Sequence, residues 1–210
     1  MLTPVEARIL GCLIEKQRTT PDNYPLTLNA LVQACNQKTS RHPVMSLELG
    51  EVGHTVNVLR DRDLIDGRFA GRVERYDQRL VSALHLDRRQ TAVMATLMLR
   101  GPQTAAELRA NGGRLAELPD LAAVDFALRN LMQRDPPLVI ALPRSPGRRE
   151  ERYAHTLCGP VDAAELDEPS GAPAARHERL AQLEEEVAQL RAELDALWEL
   201  TGFAEHRKPR

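Results

Sequence analysis

Two stretches of sequence decide the fold, TPVEARILGCLI at residues 3–14 and DRRQTAVMATLM at residues 87–98. Each begins with a residue that can cap a helix and has, three positions later, a Glu or Gln that completes a capping box. An apolar stripe at helical spacing follows in the first stretch, at Ile9, Leu10, Leu13 and Ile14. The second stretch has apolar residues at all four equivalent positions, at a constant offset of 84. The pattern predicts a structural unit that occurs twice and opens with a helix.

The two copies continue with the same order of predicted elements. A second helix follows a proline-containing breaker in each copy, and apolar residues at i, i+4 and i+7 then indicate a third helix. A candidate β-hairpin comes next, at residues 64–76 and 138–155. Three helices followed by a hairpin is the order of a winged helix-turn-helix. We therefore predict a mainly α protein with small β-hairpin wings, built from two tandem winged-helix domains at residues 1–83 and 84–158.

Four ordered blocks of the first copy can be compared with known families: ILGCLIEK at residues 9–16, TTPDNYPLTLNAL at 19–31, ACNQK at 34–38 and RHPVM at 41–45. These blocks resemble the bacterial YceH-like family, and the resemblance covers residues 1 to about 160. It implies a pair of winged-helix domains, in agreement with the repeat. It supplies no catalytic or ligand-binding residues to carry over.

The C-terminal part of the chain has a different composition. Residues 159–175 are rich in Pro, Gly, Ala and acidic side chains, which is typical of a flexible linker. Residues 176–201 predict a coiled-coil helix, and residues 202–210 a frayed tail. The seam of that helix has heptad spacing and consists of Leu180, Leu183, Val187, Leu190, Leu194 and Leu197. We expect it to form a homodimer; the alternative is a lone helix folded back on its own domains.

The sequence also restricts the class of protein. It contains no metal-binding motif, no nucleotide-binding loop and no catalytic motif, so we expect neither an enzyme nor a bound cofactor. The pair closest to nucleophile and base is Cys158 and His155, at spacing i, i+3 at the end of a wing strand, where we expect the two side chains to point in different directions. The three cysteines are widely spaced, which favours free thiols in a reducing cytoplasm. No apolar run is long enough to span a bilayer, so we expect no membrane partner.

The function that this fold suggests is binding of double-stranded DNA, with a role in transcription regulation. In such a domain the third helix enters the major groove and the wing contacts the backbone. On the third helices, the candidate DNA-contacting residues are His54, Asn57, Arg60 and Arg129. On the wings they are Arg68, Arg72, Arg75, Arg144, Arg148 and Arg149. On the loop that precedes the third helix of the first copy they are Lys38 and Arg41.

The charge distribution keeps a second interpretation open. Residues 1–160 carry a net charge of only +4 and residues 161–210 carry −6, so the basic excess is small for a DNA-binding protein. The alternative function is a non-enzymatic scaffold that binds a protein partner through the same fold. The loop at residues 36–43 also allows two interpretations. Its side chains either contact a partner, or Asn36 and Gln37 bond the loop backbone while Pro43 fixes its path.

Overall fold

The computed structural model describes residues 1–70, 73–143 and 150–160, which belong to one compact unit, Met1–Ala163. The predicted coiled-coil helix and frayed tail lie outside the described residues, as do most of the predicted linker and the candidate residues Arg72, Arg144, Arg148 and Arg149. Within the described ranges the chain forms seven α-helices and two small antiparallel sheets. The three helices and the hairpin that the sequence predicts for each copy are therefore confirmed.

The first copy contains three helices and one three-stranded sheet. A 3-10 turn at Pro21–Asn23 follows its first helix. The strand β1 precedes the second helix and pairs with β3, so the sheet has the order β1-β3-β2. The elements are α1 (Pro4–Thr19), β1 (Leu26–Thr27), α2 (Leu28–Cys35), α3 (Leu49–Asp61), β2 (Ile65–Ala70) and β3 (Val73–Gln78).

The second copy repeats this order after a short connecting helix, α4 (Leu80–Ala83). Its sheet has the equivalent strand order, β4-β6-β5, again with antiparallel pairing. The two-residue strand before each second helix is an element that the sequence analysis missed. The elements are α5 (Arg88–Arg100), β4 (Gln103–Thr104), α6 (Ala105–Gly112), α7 (Leu121–Met132), β5 (Val139–Leu142) and β6 (Arg152–His155).

Helix starts follow the predicted capping chemistry. Thr3 and Glu6 form a reciprocal capping box at the start of α1, in which each side chain accepts from the other residue's backbone N–H. Asp87 and Gln90 do the same for α5. These bonds satisfy amide groups that the helix itself leaves without acceptors. Local sequence is therefore enough to fix where both helices begin.

The first helices of the two copies, α1 and α5, pack against each other and join the copies. Every residue of α1 from Glu6 to Glu15 is buried, and so is every residue of α5 from Gln90 to Leu99. One face of α5 supplies Ala92, Ala95, Met98 and Leu99 to the first hydrophobic core, and the other supplies Val93, Met94 and Leu97 to the second. The copies thus have separate cores that meet along a shared helix pair.

Other contacts reinforce this junction. The Leu2 amide donates to the Leu157 carbonyl at 2.7 Å, and the His42 amide donates to the Leu99 carbonyl at 2.8 Å.

Among the described helices, none is both long and apolar enough to cross a membrane.

Candidate nucleic-acid interface

The outer face of α3 exposes three of the predicted DNA-contacting residues together. Val52, Val56 and Leu59 point into the core, as the apolar stripe predicts. His54, Asn57 and Arg60 are consequently exposed, because they lie off that stripe on the same helix. Arg60 Nη2 donates to Asn57 Oδ1 at 2.8 Å, which aligns the two side chains beside each other.

The exposed residues of α3 are connected to the first hairpin through Glu74. Arg60 Nη1 donates to Glu74 Oε1 at 3.1 Å, and the Tyr76 hydroxyl donates to Glu74 Oε2 at 2.9 Å. Burial and the adjacent carboxylate raise the pKa of Tyr76. Gly67 pairs with Tyr76 across the sheet, and a Cβ at Gly67 would lie 2.5 Å from Glu74 Oε1. Glycine at this position therefore leaves the space in which the carboxylate binds Arg60.

The hairpin β2–β3 carries a mixed set of exposed side chains. Arg68 and Arg75 are direct partners across the two strands, so their side chains share a face. Arg68 is 72% exposed and pairs with Asp66 at 3.0 Å. The hydrogen bond from Arg68, with a second from Arg79, lowers the pKa of Asp66. Arg75 instead donates to the Pro25 carbonyl at 2.9 Å and so binds the chain just before β1.

Two apolar side chains near the hairpin end were not among the predicted site residues. Phe69 is 75% exposed and Val73 is 52% exposed. Strand alternation gave no signal for Phe69, because Phe69 is in phase with the buried Ile65; in the structure it lies near the end of the hairpin, opposite Glu74. Phe69 and Arg68 lie on opposite faces of the hairpin, because successive residues of a strand alternate, so the hairpin exposes an apolar and a basic side chain on different faces.

Arg41 does not belong to the exposed surface, in contrast to the prediction. Its guanidinium is fully buried and pairs with the buried Glu15 carboxylate at 2.5 Å. It also donates to the Ala34 and Ser40 carbonyls. Burial acts to lower the pKa of Arg41, but the bonds and charge of Glu15 outweigh this effect and raise it. The charge is thus neutralised inside the protein and is not available to a phosphate.

The loop around Arg41 holds the two copies together. Asn36 Nδ2 donates to the Leu47 carbonyl at 2.9 Å and Asn36 Oδ1 accepts from the Leu47 amide at 2.8 Å, so the predicted bonding of Asn36 to loop backbone is confirmed. Arg100 of α5 donates to the Ser40 hydroxyl at 2.7 Å, and Arg114 of the second copy pairs with Glu15. Lys38 remains exposed on this loop.

The equivalent face of α7 in the second copy is less polar. Arg129 is exposed, with its Nε donating to the Asp125 carbonyl at 3.3 Å. Two large apolar residues on this helix are also exposed, Leu121 at 47% and Phe126 at 56%. An open pocket of about 370 Å³ is lined by other residues of this helix and by one residue of β6: Asp125, Leu128, Arg129, Met132 and Tyr153. The two third helices therefore present different chemistry.

Metal-ligating side chains were the other group of interest in the part of the chain that the structure describes. No cluster of His, Cys, Asp and Glu there is arranged to hold a metal ion. His155 Nδ1 is buried with no hydrogen-bond partner, whereas Cys158 is exposed.

Comparison with known proteins shows the family to which this chain belongs. A family model described as "Protein of unknown function, DUF480" matches residues 2–148. The chain belongs to the DUF480 family. That match contains both copies up to the loop of the second hairpin, and with it every described residue of the α3 surface. DUF480 is therefore the family that the comparison shows, and the YceH-like assignment suggested by the first copy stays a prediction.

Near-full-length relatives in the DUF480 family carry the name UPF0502 protein. One from Mesorhizobium japonicum is 50% identical over 201 residues, covering 94% of this chain and 96% of the relative. Others from Acidovorax and Stenotrophomonas maltophilia are 45% and 46% identical, covering 98% and 94% of this chain and 96% and 94% of the relatives. The similarity therefore extends beyond residue 160 into the C-terminal part.

Proposed function

We propose that this protein is a tandem winged-helix protein that binds double-stranded DNA as a dimer and regulates transcription. The observation that carries the proposal is the joint exposure of His54, Asn57 and Arg60 on α3, beside a hairpin with exposed Arg68. A third helix flanked by a basic hairpin is the arrangement in which winged helices contact duplex DNA.

Four of the exposed residues have a specific role in the proposed complex. Asn57 and Arg60 can make paired hydrogen bonds to base edges in the major groove. Arg68 and Lys38 contact phosphates, because both are exposed and positively charged. Arg72, Arg144, Arg148 and Arg149 stay in the proposal as sequence-based wing contacts outside the described residues. Arg41 is excluded by its burial against Glu15.

A second candidate function is favoured by the second copy. Leu121 and Phe126 are exposed apolar residues on α7, and the same helix lines an open pocket. Such a surface resembles the centre of a protein interface more than a DNA-reading helix, which needs charged or amide side chains. The alternative is therefore a non-enzymatic scaffold in which α7 binds a protein partner.

Titration of the full chain with random duplex DNA tests the leading proposal. We expect micromolar binding at low salt that weakens steeply as salt rises, with a slope of about −0.9 for each phosphate contact. Arg68→Glu should weaken binding and reduce that slope by about 1, since one phosphate contact is lost. Arg88→Glu is the matched control, because Arg88 is exposed on α5 and the net charge changes by the same amount.

Two outcomes separate the candidates. Equal losses in Arg68→Glu and Arg88→Glu would show that only overall charge matters and would contradict docking through the first hairpin. Absence of binding at low salt would reject the DNA proposal as a whole. In that case the wild type and Phe126→Ser, which replaces an exposed ring with a small polar group, are compared in a protein-capture experiment. A protein partner that the wild type captures and Phe126→Ser does not would support the scaffold.

A further inference from the structure

The Arg60 side chain on α3 is held in place by two hydrogen bonds. Its Nη1 donates to Glu74 Oε1 on β3 at 3.1 Å, and its Nη2 donates to Asn57 Oδ1 at 2.8 Å. The side chain of Arg60 is nevertheless 44% exposed, so part of the held guanidinium faces solvent. A free arginine side chain loses rotamer freedom when it binds a ligand, and this cost falls when the side chain is fixed beforehand. Arg60 is thus preorganised for a contact outside the protein.

The carboxylate that holds Arg60 is itself fixed by the hairpin. The hydroxyl of the buried Tyr76 donates to Glu74 Oε2 at 2.9 Å, so both carboxylate oxygens accept a hydrogen bond. Gly67 lies opposite Tyr76 and leaves the space that the Glu74 side chain fills. Because both oxygens are occupied and Arg60 compensates the charge, Glu74 is placed as a support for the guanidinium.

The bonded pair of Asn57 and Arg60 offers hydrogen-bond donors to an incoming base. Each terminal nitrogen of a guanidinium carries two N–H groups, and the two bonds described use one on each nitrogen. The Asn57 oxygen accepts from Arg60, so the group that Asn57 can offer a base is its Nδ2 amino group. Asparagine reads adenine through its oxygen and nitrogen together, whereas guanine presents two acceptors, N7 and O6, to an arginine. The arrangement therefore fits guanine and does not fit adenine.

We propose that Glu74 positions Arg60 to read guanine, so that this protein prefers duplex sites with a guanine facing α3 in the major groove. This inference rests on the proposed DNA binding and adds the base that the first copy recognises. Arg60 donates from its two terminal nitrogens to N7 and O6 of one guanine, and Asn57 Nδ2 donates to an acceptor on the neighbouring base pair. Glu74 does not contact the DNA and acts through Arg60, so it is a positioning residue.

Selection from random duplexes tests the base preference. The full chain is mixed with duplexes that have a randomised central segment, and the bound fraction is sequenced. We expect guanine to be enriched over adenine at one position by roughly tenfold, which is the discrimination of a bidentate contact. The enriched duplex is then synthesised with 7-deazaguanine at that position, a base that pairs with cytosine but lacks N7. Its affinity should fall several-fold, because one acceptor for Arg60 is lost.

Three variants separate positioning from charge. Glu74→Ala and Glu74→Gln remove the same negative charge, so both should bind random duplexes somewhat more tightly than the wild type. Glu74→Gln keeps an oxygen within reach of Arg60 and should retain most of the guanine enrichment, which Glu74→Ala should lose. Gly67→Ala changes no charge but places a Cβ 2.5 Å from Glu74 Oε1, so the enrichment should fall there as well. Asp61→Ala, at the exposed last residue of α3, is the matched charge control and should keep the wild-type enrichment.

Circular dichroism checks that each variant is folded, and Gly67→Ala carries the comparison if Glu74→Ala does not fold. Salt-dependent binding without guanine enrichment, or with adenine enriched instead, would overturn the inference and leave DNA binding intact. A guanine preference that is unchanged in Glu74→Ala and Gly67→Ala, or lost equally in Glu74→Ala and Glu74→Gln, would overturn positioning by Glu74. Absence of binding to any duplex at low salt would reject this inference together with the proposed function.

Discussion

At the scale of single residues, Arg41 shows what sequence reasoning can and cannot predict. Its place in a polar loop suggested an exposed cation beside α3. Its burial depends on Glu15, which lies 26 residues away on α1, so no local pattern reveals it. Asn57 and Arg60 were located correctly because their exposure follows from the apolar stripe of their own helix. Exposure set by one helix is predictable, but charge pairing between distant segments is not.

His155 gives a pH dependence to stability. Burial lowers its pKa to about 4, against about 6.5 in an unfolded chain. Between these values the unfolded state binds more protons than the folded state, so the free energy of unfolding falls as pH decreases through this window. We expect a contribution of at most about 3 kcal/mol.

Urea unfolding at pH 7 and pH 5 checks this prediction. His155→Gln should lose less stability than the wild type on acidification, since the neutral amide has no proton to gain. His54→Gln, at an exposed histidine on α3, is the control and should retain the wild-type dependence. An unchanged dependence in His155→Gln would show that carboxylates alone account for it.

At the scale of elements, the packing of α1 against α5 depends on Gly11. A Cβ at Gly11 would lie 3.1 Å from the Leu99 side chain and 3.3 Å from Met98 Cβ, which is closer than ordinary contact. Gly50 in α3 has no atom within 4 Å of the equivalent position. The same substitution should therefore have different effects at the two sites, although both glycines are helical.

We expect Gly50→Ala to stabilise the protein by about 0.5–1 kcal/mol, which is the gain in helix propensity. Gly11→Ala should show no such gain, because crowding at Leu99 offsets it, and Gly11→Leu should destabilise by about 1–3 kcal/mol or more. Chemical denaturation of the three variants measures these differences. Equal stabilisation in Gly11→Ala and Gly50→Ala would mean that the α1–α5 seam is looser than described.

Elements differ in how far their own sequence defines them. Thr3 with Glu6 and Asp87 with Gln90 give the starts of α1 and α5, since a capping box is completed within four residues. The strands β1 and β4 are only two residues long and exist because Tyr76 and Tyr153 of distant strands pair with them. Such pairing leaves no periodic pattern in so short a segment.

At the scale of the whole molecule, the heptads of residues 176–201 predict a homodimer. Deletion of residues 176–210 should convert a dimer into a monomer in sedimentation, because the seam of Leu180 to Leu197 is removed. Leu190→Glu places a charge in that seam and should have the same effect. Ala192→Glu adds the same charge at an outward heptad position and should leave the mass of the dimer unchanged. A monomeric wild type would contradict the prediction.

The joined helices α1 and α5 also have a consequence for how the chain is made. On the ribosome α1 emerges first, but the helix that covers its apolar face ends only at Arg100. At ordinary rates of translation this interval is on the order of ten seconds. Throughout it, the nascent first copy has Gly11 and its apolar neighbours open to water, where chaperones or other nascent chains can bind them. Once α5 has been synthesised it covers this apolar face, so the two copies complete their folding together.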